Sequence, residues 1–333
     1  MEINAKAEGG SKMKKESNIL KRFLEIEEST ILLALLILSG VISILTPKFL
    51  SSYNLLSIAR QMSLVAIVAV GQTLVIITAG IDLSVGSIIG FTGIATTMLM
   101  AAGIPVFIAI ILGLAVGALL GYINGTLITK IDIPPFIVTL GMLSIARGFI
   151  MVLTQGWPIS EVPDSFTFLG QGYILGIPVP VIIMVAIMIL GHIFLNSTNL
   201  GRYIYAIGGN EEAAELSGLN VKKIKTLVYT ITGFLAGVSG IIMASRLSSG
   251  QPNAGDGWEL DTIAAVVIGG TSLMGGEGTI FGTFLGAAIM AVLRNGLVLL
   301  NVSVYWQTIA IGAIVIGAVA MDRIRQKRKL KAN

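Results

Sequence analysis

NSTNLGRYIYAIGGNEEAAELSGLNVKKIK, residues 196–225, is a polar island between two long apolar stretches. Its contrast with the rest of the chain decides the fold. The 333 residues are 54% hydrophobic and only 12% charged, about half the charge of a soluble domain. A bilayer crossing needs about 20 apolar residues, and runs of that kind flank the island on both sides. The chain is therefore predicted to be an all-α polytopic membrane protein, with about ten transmembrane helices, some of them broken or short. A charged loop kept on one face of such a protein has something to dock there.

Candidate spans are 31–46, 58–79, 84–102, 104–129, 135–154, 174–195, 226–246, 260–275, 278–300 and 303–321. Lys and Arg concentrate on cytoplasmic segments. Lys6, Lys12, Lys14, Lys15, Lys21 and Arg22 precede the first span, and Arg323, Arg325, Lys327, Arg328, Lys329 and Lys331 follow the last. Both ends are thus expected inside, which requires an even number of crossings. Six precede the island, so it too falls inside, in keeping with Arg202, Lys222, Lys223 and Lys225. The expected organisation is a cytoplasmic segment 1–30, a membrane domain 31–322 with its loop 196–225, and a basic cytoplasmic tail 323–333. No small-residue cleavage site follows the first apolar run, so it is expected to stay as a span.

Residues 261–276, DTIAAVVIGGTSLMGG, are short for a span and end in a Gly-rich break. Parity still requires a crossing, so this one is expected to be irregular. Irregular backbone at that depth must be buried in protein or line a cavity. ITAGIDLSVGSIIGFTG (77–93) and IGGTSLMGGEGTIFGTF (268–284) echo each other, each with an apolar arm, a Gly-rich break and a second arm. The loops 154–173 and 246–259 face outward by the same parity; their tryptophans, Trp157 and Trp258, suit an interface as well as a docked outer protein.

Forty glycines suit close helix approach in lipid. Gly113, Gly117, Gly121 and Gly125 recur every four residues and mark one helix face for a neighbouring helix or a second subunit. Asp82 stands alone in an uncharged stretch from Gln61 to Thr129. An intramembrane carboxylate is a functional candidate, yet Asp82 and Ser84 also stand where a helix starting at Leu83 or Val85 would want a cap. Asn124 and Asn295 are candidates for interhelical bonds. Arg147 and Arg294 need partners, which the sequence does not reveal.

Several chemistries are excluded. There is no Cys, hence no disulfide, thiolate metal site or cysteine nucleophile. His192 is the single histidine, and neither GxSxG nor HExxH is present. The net charge of +4 comes from membrane-flanking residues and gives no nucleic-acid signal. An ion-coupled carrier shows several acidic or His groups within spans, whereas Asp82 is nearly alone. An ATP-driven one needs a GxxxxGK[ST] loop, and this chain has none. An ATPase partner must then push on a cytoplasmic surface. In the island, Asn210 is a good N-cap, Glu211 and Glu212 sit in a first turn, and Gly218 is a natural stop. A helix of about two turns cannot stand alone. Ala213, Ala214 and Leu216 would give it a small apolar surface, while a solvated surface helix is the plainer alternative.

Glu212-Ala213-Ala214 followed by Gly218 resembles the EAA-x-x-x-G element of ABC-importer permeases. The Ile-x-Leu-Pro usual downstream is missing, with Val228 and Thr230 in that region, which favours the branched-chain amino acid/monosaccharide branch. GIDLSVGS (80–87), GRYIYAIGGNEEAAELSG (201–218), ASRLSSGQP (244–252) and ELDTIAAVVIGGTSLMGGEGT (259–279) together resemble monosaccharide permeases, the ribose type most of all. The resemblance implies a homodimeric transport subunit of a bacterial inner membrane, itself no enzyme, held in membrane lipid. It implies a cytoplasmic tandem ABC ATPase and an extracytoplasmic sugar-binding protein as partners. No cofactor is expected on this chain, since ATP and Mg belong to the ATPase. Arg202, Asn210, Glu211, Glu212, Ala213, Ala214, Leu216 and Gly218 would form the coupling surface. Asp82, Ser84, Asn124, Thr139 and Asp261 are candidates for the sugar path. Galactose, xylose, inositol or a furanose signal are the alternative substrates, and an ion-coupled transporter the alternative class.

Overall fold

The computed structural model describes residues 27–332, and side chains from Glu28 to Ile324. The basic residues Lys6 to Arg22 lie outside the described residues, as do the side chains from Arg325 onward. The chain runs α1 (Glu27–Leu45), α2 (Ser52–Ile77), α3 (Val85–Ala101), α4 (Val106–Lys130), α5 (Pro135–Thr154), α6 (Asp164–Gln171), β1 (Tyr173–Ile174), β2 (Ile177–Pro178), α7 (Val179–Ser197), α8 (Asn199–Gly209), α9 (Glu211–Leu216), α10 (Val221–Leu247), α11 (Trp258–Ile268), α12 (Ile280–Leu299) and α13 (Val304–Ala332). Eight of these helices are long and apolar enough to cross a membrane. Of the other two expected spans, α3 has 17 residues and α11 only 11.

Local chemistry sets most helix starts. Pro105, Pro134 and Pro178 stand immediately before α4, α5 and α7, where a fixed φ favours helix entry and no N–H is wasted. Ser51, Thr198, Asn220 and Thr279 cap α2, α8, α10 and α12 through side-chain oxygens. Several expected boundaries move: α2 begins at Ser52 rather than 58, α10 at Val221 rather than 226, inside the expected loop 196–225, and α11 ends at Ile268 rather than 275. The span drawn from residue 174 begins with the hairpin β1–β2, paired Tyr173 to Pro178 and Ile174 to Ile177, so its helix starts only at Val179. The helix α13 runs unbroken through residue 322 to Ala332.

The core gathers on α2 and α10. Over the most apolar window of α2, 83% of residues are buried, against 11% for α1 and 17% for α13, so α2 is central and the chain ends are peripheral. Long α10 packs along α4, α3 and α2. The glycine face of α4 meets α10: side chains at Gly117, Gly121 and Gly125 would run into the backbone of Gly233, Tyr229 and Thr226. Of the two neighbours expected for that face, the structure supplies a helix of the same chain. On the far side from the island the two outward-assigned loops are knitted together. Ile159 and Gly250 exchange backbone bonds of 2.9 and 2.8 Å, and Ser245 Oγ donates to the Phe166 carbonyl at 2.6 Å.

Candidate functional site

The island holds two helices where the sequence predicts one. Thr198 Oγ1 accepts from the Gly201 N–H at 3.1 Å and starts α8, whose Gly201, Ile204 and Ile207 are buried at helical spacing. Asn210 Oδ1 accepts from the Ala213 N–H at 2.9 Å and starts α9. At its end the Gly218 N–H bonds the Glu215 carbonyl at 2.9 Å and the Leu219 N–H bonds the Ala214 carbonyl at 3.2 Å. This is a Schellman closure, with Gly218 at φ 85°. The helix is six residues long, shorter than expected, and is held from both sides: Ala214 is buried, and Lys225 Nζ lies 2.6 Å from Glu211 Oε2.

The shared apolar surface expected of Ala213, Ala214 and Leu216 is not formed. Ala214 points inward, while Ala213 and Leu216 point out, Leu216 being 83% exposed. The physical reason is spacing: residues three apart share a helix face and neighbours do not. Glu211, Glu212 and Gly218 are exposed beside them. Arg202 bonds Asn199 one turn back on α8.

Beneath the island, α8 rests on both Gly-rich breaks. The first separates α2 from α3 (residues 78–84), the second α11 from α12 (residues 269–279). The Gly276 N–H donates to the Ile77 carbonyl at 2.9 Å, joining them. A side chain at Gly208 would collide with that same carbonyl and with the Gly276 nitrogen. Tyr205 Oη donates to the Gly278 carbonyl at 2.6 Å. The echoing segments 77–93 and 268–284 therefore meet under one helix. The second break carries the irregular half of the 260–275 crossing down to the island's face. Glu28 of α1 accepts from Thr279 Oγ1 at 3.2 Å, and Asp322 of α13 accepts from the Leu273 N–H at 3.3 Å. The described ends of the first and last spans thus lie on the same face as the island.

Four of the five path candidates converge at the first break. Asp82 Oδ1 accepts from the Ser84 N–H at 2.8 Å and from Ser84 Oγ at 2.6 Å. Asn124 Nδ2 donates to Ser84 Oγ at 2.9 Å, tying the break to α4. Thr139 Oγ1 donates to Pro135 O at 2.9 Å and lies 3.3 Å from Ile81 O, tying it to α5. All four are fully buried. The expected cap is corrected: Ser84 stands at the N-cap of α3 but makes no side-chain cap bond, because its backbone is already helical (φ −83°, ψ −11°) rather than extended, and its hydroxyl turns to Asp82 and Asn124. Asp82 Oδ2, Asn124 Oδ1 and Tyr229 Oη are buried without a hydrogen-bond partner. Buried polar groups ordinarily have partners, so this node holds spare hydrogen-bonding capacity.

Asp261 lies apart from that group. Its carboxylate receives Arg294 Nη2 at 2.8 and 2.5 Å, beside Trp258 and Gln61 in a cavity of about 30 Å³, room for one water. Arg147 also finds partners, donating to Pro252 O at 2.9 Å and Ala254 O at 3.0 Å and pairing with Asp256 at 2.6 Å. Asn295 and Asn54 exchange amide bonds of 2.8 and 2.9 Å between α12 and α2. Sequence reasoning missed Tyr205, Gly208 and Tyr229. Only helical spacing after Thr198 could have revealed α8, and nothing local marks Tyr229 as Asp82's neighbour.

An all-α bundle with broken spans and a helical island seated on the breaks defines a polytopic membrane protein. The chain belongs to the family described as branched-chain amino acid transport system / permease component, whose model matches residues 54–319. It is 47% identical over 313 residues to the ribose import permease protein RbsC of Haemophilus influenzae, covering 93% of this chain and 96% of that one. RbsC of Bacillus subtilis is 46% identical, with 87% and 91% covered. The D-allose transport system permease protein AlsC of Escherichia coli is 38% identical, with 88% and 90% covered. No solved structure matches. With eight helices long and apolar enough to span and bacterial permease relatives, this is a multi-pass protein of the bacterial inner membrane.

Proposed function

We propose that the chain is the membrane subunit of an ATP-binding-cassette importer that carries ribose inward. A separate cytoplasmic ATPase would drive it, and a sugar-binding protein outside would supply it. The observation that carries the mechanism is the seating of α8 on both breaks. A displacement of the island passes to Ile77 and Gly276 together, and from Ile77 in five residues to Asp82. The ATPase would grip the exposed side of α9, Glu211, Glu212, Ala213, Leu216 and Gly218, together with exposed Arg202 of α8, while Asn210 caps the helix and buried Ala214 seats it. Asp82, Ser84, Asn124 and Thr139 would border the sugar path, closed in this conformation. The unpartnered oxygens of Asp82 and Asn124 suit a neutral polyol, which recognises hydroxyl and amide groups rather than an ion pair. Asp261, held by Arg294, would stabilise the outer half of that path.

Lysine and arginine placement supports a cytoplasmic island and cytoplasmic ends, and two copies would be needed to enclose the path. The identity to two ribose permeases, at 47% and 46%, supports ribose over allose. The test is reconstitution of the chain with its ATPase and purified binding protein in proteoliposomes. Ribose should stimulate ATP hydrolysis and enter the lumen, while an uncoupler leaves uptake unchanged. Stimulation by another sugar and not by ribose would move the substrate, and uptake abolished by the uncoupler would favour ion coupling.

A further inference from the structure

Beside the island an open groove of about 820 Å³ runs between the end of α4, α8 and the start of α10. We propose that it binds one anionic phospholipid of the leaflet on the island's side. The two long walls are graded in the same direction. On α10, Lys222 and Lys223 lie in the first turn and Thr230 lies about 10 Å deeper. On α4, Lys130 is the last residue and Tyr122 lies about 12 Å deeper. All five line the groove. Charge at the rim and apolar surface at that depth match a phosphate headgroup above acyl chains. Tyr122 and Leu227 are 47% and 37% exposed there, at a level that a soluble partner does not reach.

The lysines are available. Among the described residues Lys225 is paired with Glu211, whereas no carboxylate pairs with Lys130, Lys222 or Lys223. Basic pockets between helices on the cytoplasmic side are suited to anionic headgroups, and the N-terminus of the 27-residue α10 adds its positive end. The inference stands independently of which sugar is carried.

Native mass spectrometry of the full-length permease with phosphatidylglycerol or phosphatidylcholine tests it. Phosphatidylglycerol should be retained selectively, and retention should weaken as salt rises. Each Lys→Gln change should weaken it about fivefold, and K130Q/K222Q/K223Q on the order of a hundredfold. Replacing all three by Arg should preserve binding. T230W, which fills the deep end with the lysines intact, should displace the lipid and guards against misfolding of the triple variant. Equal retention of the two lipids, or undiminished retention by both variants, overturns the proposal. So does disulfide cross-linking of two copies through cysteines placed at residues 122 and 230, which would assign the groove to a second permease. Loss of ATPase binding by the triple variant with lipid retention unchanged would assign it to the ATPase.

Discussion

At the residue scale the informative groups are the buried charges. Asp261 is 2% exposed and Arg294 supplies both contacts to its carboxylate. Removing one partner leaves the other charge uncompensated, which costs about 3–5 kcal/mol, while replacing the pair together is far milder. Arg294→Met should therefore lower the thermal midpoint of the purified permease sharply, and Asp261→Asn combined with it should restore most of the loss. Asp82 presents the opposite case, a fully buried carboxylate held only by Ser84. An asparagine oxygen can accept the same two bonds, so Asp82→Asn should hold stability within about 1 kcal/mol. Uptake by that variant should still fall several-fold, because a charged acceptor binds a sugar hydroxyl more strongly than an amide does. Unchanged uptake would make the node purely structural. Asp82 was conspicuous in sequence by its isolation, but its company comes from the break itself (Ser84) and from two different helices, α4 (Asn124) and α5 (Thr139).

At the element scale, α9 is the part written most plainly in the sequence. Asn210, the acidic first turn and Gly218 are local signals, and all three act locally. Gly218→Ala puts a Cβ at a positive φ and should cost about 1 kcal/mol, a modest effect readable in thermal unfolding. The companion α8 was not legible because its reason lies elsewhere: Gly208 is small on account of Ile77 and Gly276, more than 60 residues away in either direction. Gly208→Val must push the breaks apart, a strain of about 1–3 kcal/mol. The expected outcome is a folded permease that still binds its ATPase yet hydrolyses ATP without moving sugar. Retained uptake would remove α8 from the transmission route.

At the scale of the whole molecule, charge parity and structure address different things. The contacts of Thr279 with Glu28 and of Leu273 with Asp322 put the island and both described ends on one face; the lysine and arginine bias says which compartment that face meets. The absence of native cysteine makes a clean test. A cysteine at Leu175, the 98% exposed hairpin tip, should react with an impermeant maleimide added outside intact cells, and a cysteine at Glu212 should react only after permeabilisation. The reverse pattern would invert the topology.

Hydropathy determined the bundle, the island and nearly all the spans, because lipid demands long apolar runs with every backbone group satisfied inside each helix. Prolines and N-cap residues determined where several helices begin, since those bonds span three residues or fewer. The tertiary structure alone decided that α11 stops after 11 residues, that both breaks meet beneath α8, and which partners Arg147, Arg294 and Asp82 take. Apart from Asp82, whose partner Ser84 is two residues on, those outcomes depend on contacts between residues tens to hundreds of positions apart, and such pairing leaves no periodicity in a single sequence.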